Sequence, residues 1–389
     1  MTPGRRSVVA VIPLPPTYRG GTEEYAYQLV RRFAEHRDVT VLATTVRHTP
    51  ETGAIDTGAA RLELLAAREV MERPLVVGRG PRRRLRSAVE SAGVVQLHMP
   101  FPLVEGPATR WARRAGVPTV LTYHMDADLA GASRMPGAGL VTPAYRALSA
   151  DPALGRCDAV VSNSRGYAEA SPVLRHYLPK VRVIAKGADP ERLGLDRPNR
   201  QGRPRSVPAD VSGPTVVFVG RLVPYKGLSV LIDAAEQLRR DGVGLTVLIA
   251  GRGPLLDPLK ADVARRSLGD VVRFLGFVPD TEIGDLYRFA GVVCCPSVGT
   301  LESSATALEE ASMCGTPVVG SDLPGASETI PHDGTRGILV PPRDVPALSH
   351  ALRRLLGQER PEGPAPRRTW DDVARDYERL FDELGARSP

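Results

Sequence analysis

Short runs of aliphatic and β-branched residues alternate with longer stretches whose apolar positions recur every three or four residues. In the first half the runs Ser7–Leu14, Val39–Thr44, Val94–His98, Thr119–Tyr123, Ala159–Ser162 and Val181–Ala185 read as strands. They are apolar on both faces, as strands are in a parallel sheet covered by helices on each side. Helices are expected between them over Glu23–Glu35, Pro107–Ala115 and Gly166–Tyr177. Leu195–Pro214, rich in Arg, Pro and Gly, has no period and reads as a linker.

The alternation then restarts. Strands Thr215–Gly220, Leu245–Gly251, Val271–Leu275, Gly291–Pro296 and Pro317–Gly320 interleave with helices Leu228–Asp241, Leu255–Arg266, Thr281–Ala290 and Ser304–Cys314. A Pro-rich stretch, Gln358–Arg368, precedes a last amphipathic helix around Trp370–Leu384. Strand and helix alternating twice over predict two doubly wound, Rossmann-like α/β domains. The expected division is residues 1–194, a linker 195–214, residues 215–368, and a C-terminal helix in 369–389. Ligands of such sheets bind beyond the carboxyl ends of the strands, so residues just after strands carry most of the functional weight.

The 389 residues suffice for two cores, and the 42% hydrophobic and 24% charged content is that of a soluble globular protein. There is no run of about 18 apolar residues, so no membrane-spanning helix is expected. The opening MTPGRRSVVAVIPLPP has the basic-then-apolar order of a signal peptide. Its apolar run is short and stops at Pro13, which favours a first strand and a cytoplasmic location. Cys157, Cys294, Cys295 and Cys314 have no metal-ligand spacing and read as buried reduced thiols. A net charge of +7 invites a nucleic-acid or membrane-surface reading, but the basic residues are spread along the whole chain and all but four are arginine. No nucleic-acid-binding pattern accompanies them. The one real cluster, Pro81-Arg82-Arg83-Arg84-Leu85-Arg86, reads as a solvated loop or as a contact for an anionic membrane surface.

Several strand ends carry candidate chemistry. Arg19-Gly20-Gly21-Thr22-Glu23 follows the first strand and opens a helix, where paired glycines let backbone approach an anion. Gly220-Arg221-Leu222 with Lys226-Gly227 puts two cations beside a helix N-terminus, a combination suited to a diphosphate. Ala250-Gly251-Arg252-Gly253-Pro254 and Gly276-Phe277-Val278-Pro279 end neighbouring strands and could border a nucleobase and ribose. Glu302 and Glu310 flank a helix start at Ser304-Ala305-Thr306, ahead of Gly315-Thr316-Pro317-Val318-Val319. Two carboxylates so placed can grip hydroxyls at both ends of an extended ligand whose phosphates face the helix amides.

In order and spacing these pieces, together with Leu97-His98-Met99-Pro100, Tyr123-His124-Met125-Asp126 and Ser171-Pro172-Val173-Leu174, resemble the retaining nucleotide-sugar glycosyltransferases of family 4, over nearly the full chain. The resemblance implies the GT-B fold, two Rossmann-like domains facing across a cleft, with the last helix returning to the first domain. It implies that Arg221 and Lys226 neutralise the donor diphosphate, that Glu310 holds the ribose, and that Glu302 holds the transferred sugar. Phe277 and Val278 are expected near the base, His124 near the sugar, and Gly20 and Gly21 near the donor phosphates or acceptor. His98 is either a wall of the cleft or packed support. No metal or cofactor is implied, the donor being a UDP- or GDP-linked sugar and the acceptor a lipid-linked glycan, a polysaccharide or a small secondary metabolite. Departures from the family pattern are Ser303-Ser304-Ala305 in place of Gly-Phe-Gly, Glu309 before the second glutamate, and Lys186 where Asn is common. The alternatives are a nucleotide-sugar epimerase or phosphorylase of the same fold, or a basic protein that binds membranes or nucleic acid.

Overall fold

The computed structural model describes residues 7–15, 21–45, 58–70, 73–127, 138–195, 202–299, 305–328, 330–361, 363 and 368–386. The chain forms two compact units, Met1–Ala185 with Trp370–Pro389, and Lys186–Thr369.

The first unit holds an eight-stranded sheet built from β1 (Val8–Val11), β2 (Val39–Thr45), β3 (Arg61–Val70), β4 (Arg73–Val76), β5 (Val94–Met99), β6 (Thr119–Tyr123), β7 (Ala159–Ser162) and β8 (Val181–Val183). The strand order is β4-β3-β2-β1-β5-β6-β7-β8, and every pairing is parallel except β3 with β4. Successive side chains of β1 enter different cores, Val9 and Val11 on one face and Val8, Ala10 and Ile12 on the other. The first face is covered by α2 (Arg79–Ser91), α3 (Glu105–Arg114), α4 (Ala138–Tyr145), α5 (Asp151–Arg156) and α6 (Arg165–Ala170), with a π-helical turn Arg146–Ala150 joining α4 to α5.

The other face is covered by α1 (Gly21–His36) and the C-terminal helix Trp370–Ala386. α1 buries Tyr25, Leu29 and Phe33, spaced one turn apart, and the C-terminal helix meets them with Trp370, Tyr377 and Phe381. Their rings pack edge to face, Tyr25 on Trp370 at 5.0 Å and Phe33 on Phe381 at 5.4 Å.

The second unit is a six-stranded parallel sheet of β9 (Thr215–Val219), β10 (Thr246–Ala250), β11 (Val272–Gly276), β12 (Val292–Cys295), β13 (Val318–Ser321) and β14 (Gly337–Val340). Its order is β11-β10-β9-β12-β13-β14, with helices α7 (Leu228–Arg240), α8 (Leu256–Arg265), α9 (Asp280–Phe289), α10 (Thr306–Met313) and α11 (Val345–Leu356) in the connections. The order reverses between β9 and β12, the point at which doubly wound sheets open a crevice.

The boundary between units falls at Ala185/Lys186, earlier than the expected 194, because Ala188 bridges to Thr369 and Leu193 is buried in the second core. The stretch expected as a linker is likewise part of that unit, since Val207 and Val211 are buried in its core. The arginine cluster lies in α2 rather than in a loop: Leu85 and Val89, one turn apart, anchor it to the sheet. None of the described cysteines forms a disulfide, and Cys157, Cys294 and Cys295 are buried.

Candidate functional site

In the second unit the carboxyl ends of β9, β10, β11 and β12 share one edge of the sheet, so the loops that follow them are neighbours. Backbone fit explains most of the glycines there. A Cβ on Gly251 would lie 1.8 Å from the Gly220 carbonyl oxygen, and one on Gly253 would lie 2.4 Å from that of Leu222. These two glycines let the loops after β9 and β10 touch main chain to main chain, sealed by Leu222 N–H to Arg252 O at 2.9 Å and Leu255 N–H to Leu222 O at 3.1 Å. Gly227, left-handed at φ 68° and at the N-cap of α7, would place a Cβ 1.9 Å from the Pro296 oxygen. The 3-10 turn Pro224–Lys226 is thereby pressed against the segment after β12, and Val298 N–H donates to Tyr225 O at 2.8 Å.

Across the point of order reversal, Arg221 is exposed on the β9 loop and Lys226 is half-buried in the turn before α7. The Lys226 ammonium lies 5.6 Å from the centroid of the Tyr225 ring. The chain leaving β12 is hydrogen-bonded to this turn and leads toward α10. Glu302 and Ser304 fall outside the described residues, and so does Gly20. Ala305 is buried at the N-cap of α10 and offers no side-chain cap to the helix. Thr306, the first helical residue, accepts a 2.9 Å hydrogen bond at Oγ1 from the ammonium of Lys186. A further cation therefore stands at the positive end of α10.

One turn on, Glu310 is buried at 8% exposure. Its Oε1 accepts from the Arg192 guanidinium and its Oε2 accepts from the Tyr287 hydroxyl at 2.9 Å. Arg192 also lies 3.6 Å from Asp280. Burial first, and then the Glu310 carboxylate, push the Tyr287 phenol well above its ordinary range, so it stays a donor. Arg192 and Tyr287 are partners that sequence reading missed, being 118 and 23 residues from the glutamate. Phe277, after β11, is 48% exposed with the Arg252 guanidinium 5.6 Å from its ring centroid, whereas Val278 is buried.

The first unit gathers a second group of expected residues. Gly21 is the exposed first residue of α1. His124, just past β6, is 6% exposed, and its Nε2 lies 2.9 Å from Nδ1 of His98 on the neighbouring strand β5. The two rings stack at an interplanar angle of 16°, and Tyr25 packs edge-on to His124 at 5.1 Å. Burial drives the His98 imidazole down to about 3, so it is neutral at physiological pH. Asp126, two residues beyond His124, accepts the hydroxyls of Tyr123 at 2.9 Å, Tyr167 at 3.2 Å and Ser171 at 2.7 Å. This hub ties Tyr123-His124-Met125-Asp126 to Ser171-Pro172-Val173-Leu174 and fixes the strand end that carries His124.

Comparison with known proteins bears on the family and the fold. Residues 19–192 match the family model "Glycosyltransferase Family 4" and residues 200–375 match "Glycosyl transferases group 1". The chain is 27% identical over 371 residues to O-antigen chain mannosyltransferase C of Escherichia coli, covering 94% of this chain and 91% of that one. It is 31% identical over 293 residues to D-inositol 3-phosphate glycosyltransferase of Jonesia denitrificans, covering 71% and 67% of the two chains. Among solved structures, Anabaena Alr3699/HepE in complex with UDP and glucose has the same fold, at a TM-score of 0.65 and 17% identity over 98% of this chain and 95% of that one.

Proposed function

Because the chain belongs to the family 4 glycosyltransferases, we propose that it transfers a sugar from a UDP- or GDP-linked donor with retention of anomeric configuration, without a metal ion. The observation that supports this reading is topological: Arg221 and Lys226 follow β9, and buried Glu310 lies in the helix that follows its neighbour β12, at the order reversal of the second sheet.

In this reading the diphosphate lies beside Arg221 and Lys226 with the amino end of α10 facing it, so cations and helix dipole together stabilise the charge that develops as it leaves. Glu310, held by Tyr287, receives the ribose hydroxyls, and Glu302 grips the transferred sugar. The base lies against Phe277 and Val278, where the Arg252–Phe277 pair offers a flat face. His124, its ring oriented by His98 and Tyr25, faces the sugar. The bond from the anomeric carbon to the phosphate oxygen breaks as the acceptor oxygen bonds to that carbon on the same face. The acceptor proton passes to the departing phosphate oxygen, so no protein base is required and catalysis rests on positioning and charge.

The acceptor is a lipid-linked glycan, a polysaccharide or a small secondary metabolite. The first of these is supported by the E. coli relative, named for O-antigen chain synthesis, and brings membrane contact into the same reading.

The test uses two variants with nucleotide-sugar binding followed by calorimetry and transfer by initial rates. Glu310→Ala should weaken donor binding about 10-fold or more, the scale of a lost charge-assisted hydrogen bond. Lys226→Ala should lower kcat about 100-fold with a smaller change in donor affinity. Wild-type kinetics in both variants would refute the site.

A further inference from the structure

From α4 into α5 the chain presents an apolar stripe to solvent. Leu140, Pro143, Ala144, Ala147 and Leu148 are all exposed, and their spacing of i, i+3, i+4, i+7, i+8 is one face of a helix. The leucines are the most open, Leu140 at 75% and Leu148 at 71%. Such spacing ordinarily marks a core-facing stripe, yet here the core side is taken by Tyr145, Ser149 and Ala150, which are buried. Leu103, 48% exposed, joins the patch: its N–H donates to Ser149 Oγ at 3.0 Å, next to Leu148. Leu103 is left-handed at φ 62°, a costly conformation for a bulky residue, and the Ser149 bond holds it there.

The flank of this patch is basic. α3 packs between α2 and the π-helical turn in one layer on the sheet. Outward from that layer project Arg82, Arg83 and Arg84 of α2 and Arg110, Arg113 and Arg114 of α3, all exposed. Among the described residues none of these six is ion-paired, whereas Arg86 is held by Glu90 at 2.7 Å. A second copy of this surface would meet it with like charge, which disfavours self-association. Apolar side chains flanked by unpaired arginines match the boundary between acyl chains and anionic headgroups.

We propose that the outer face of the α2–α3–α4 layer docks on an anionic lipid surface, with Leu103, Leu140 and Leu148 entering the acyl boundary and the arginines held at the headgroups. The proposal is independent of the donor site. Leu140 and Leu148 lie outside both cores, so their replacement leaves folding intact.

The experiment is co-sedimentation of the full chain with vesicles of phosphatidylcholine alone or with 30% phosphatidylglycerol (a composition of about that order giving a strong surface potential). Binding is expected to the anionic vesicles, to weaken with salt, and to fall about 10-fold or more both in Leu140→Ser/Leu148→Ser and in Arg82→Gln/Arg83→Gln/Arg84→Gln. Glu310→Ala should bind vesicles like wild type, separating this surface from the donor site. Equal binding to neutral and anionic vesicles, no binding, or serine variants that bind like wild type would each overturn the proposal. So would sedimentation velocity showing a dimer that the serine variants abolish, since the stripe would then belong to a second copy.

Discussion

At the residue scale, Glu105 shows how burial sets chemistry. It is fully buried at the start of α3, with Oε1 accepting from the Tyr145 hydroxyl at 2.6 Å and Oε2 without a partner among the described residues. Burial pushes its carboxyl from 4.5 up to about 7. The folded form therefore keeps a proton that the unfolded chain has already lost between those values. Folding stability falls as pH rises from 4.5 to 7, by about 3 kcal/mol if this group acts alone. Urea unfolding at pH 5 and pH 8 should show that slope, and Glu105→Gln should flatten it. His98 acts in the opposite sense, since its neutral form is favoured in the fold and stability declines as pH drops below 6.5.

At the scale of elements, the glycines after the strands are sites of close main-chain approach, and this gives a sharp expectation. Gly227→Ala brings a Cβ onto the Pro296 carbonyl and forces an alanine into the left-handed region, so a loss of about 3 kcal/mol or more is expected in denaturant unfolding. Gly269→Ala, with nothing near its Cβ, should be close to neutral. The second sheet was readable through β13, because its strands are apolar on both faces and its helices repeat cleanly. β3 and β4 escaped notice, since Arg61–Val70 mixes charge into an edge hairpin that only partly faces the core. α2 was obscured by its five arginines, which outnumber the two residues it buries. α4 was obscured because its apolar stripe points outward. Of the residues expected at the site, the placement of Arg221 and Lys226 after β9 and of Glu310 in the helix after β12 was legible in the sequence. Arg192 and Tyr287 were not, because nothing local in sequence joins them to Glu310.

At the scale of the whole molecule, the residues assigned to the proposed reaction fall in two bodies of the same α/β kind. The second carries the cations and the buried carboxylate, while the first carries the imidazole pair and the Asp126 hub. In the proposed reading, Arg221 and Lys226 compensate the charge of the departing diphosphate, a task a divalent ion performs elsewhere. Turnover of the intact enzyme is therefore expected to be unchanged in EDTA, and a loss restored by Mn²⁺ would contradict this.

The C-terminal helix has a consequence for how the protein is made. Its Trp370, Tyr377 and Phe381 fill the core of the body whose other residues are translated first. All of Lys186–Thr369 leaves the ribosome before that helix does, so the earlier-made body must wait, with the Tyr25 and Phe33 side of α1 uncovered, until the second body has been made. Maturation of the two bodies then runs against the order of their translation, the body begun earlier being sealed after the later one is complete.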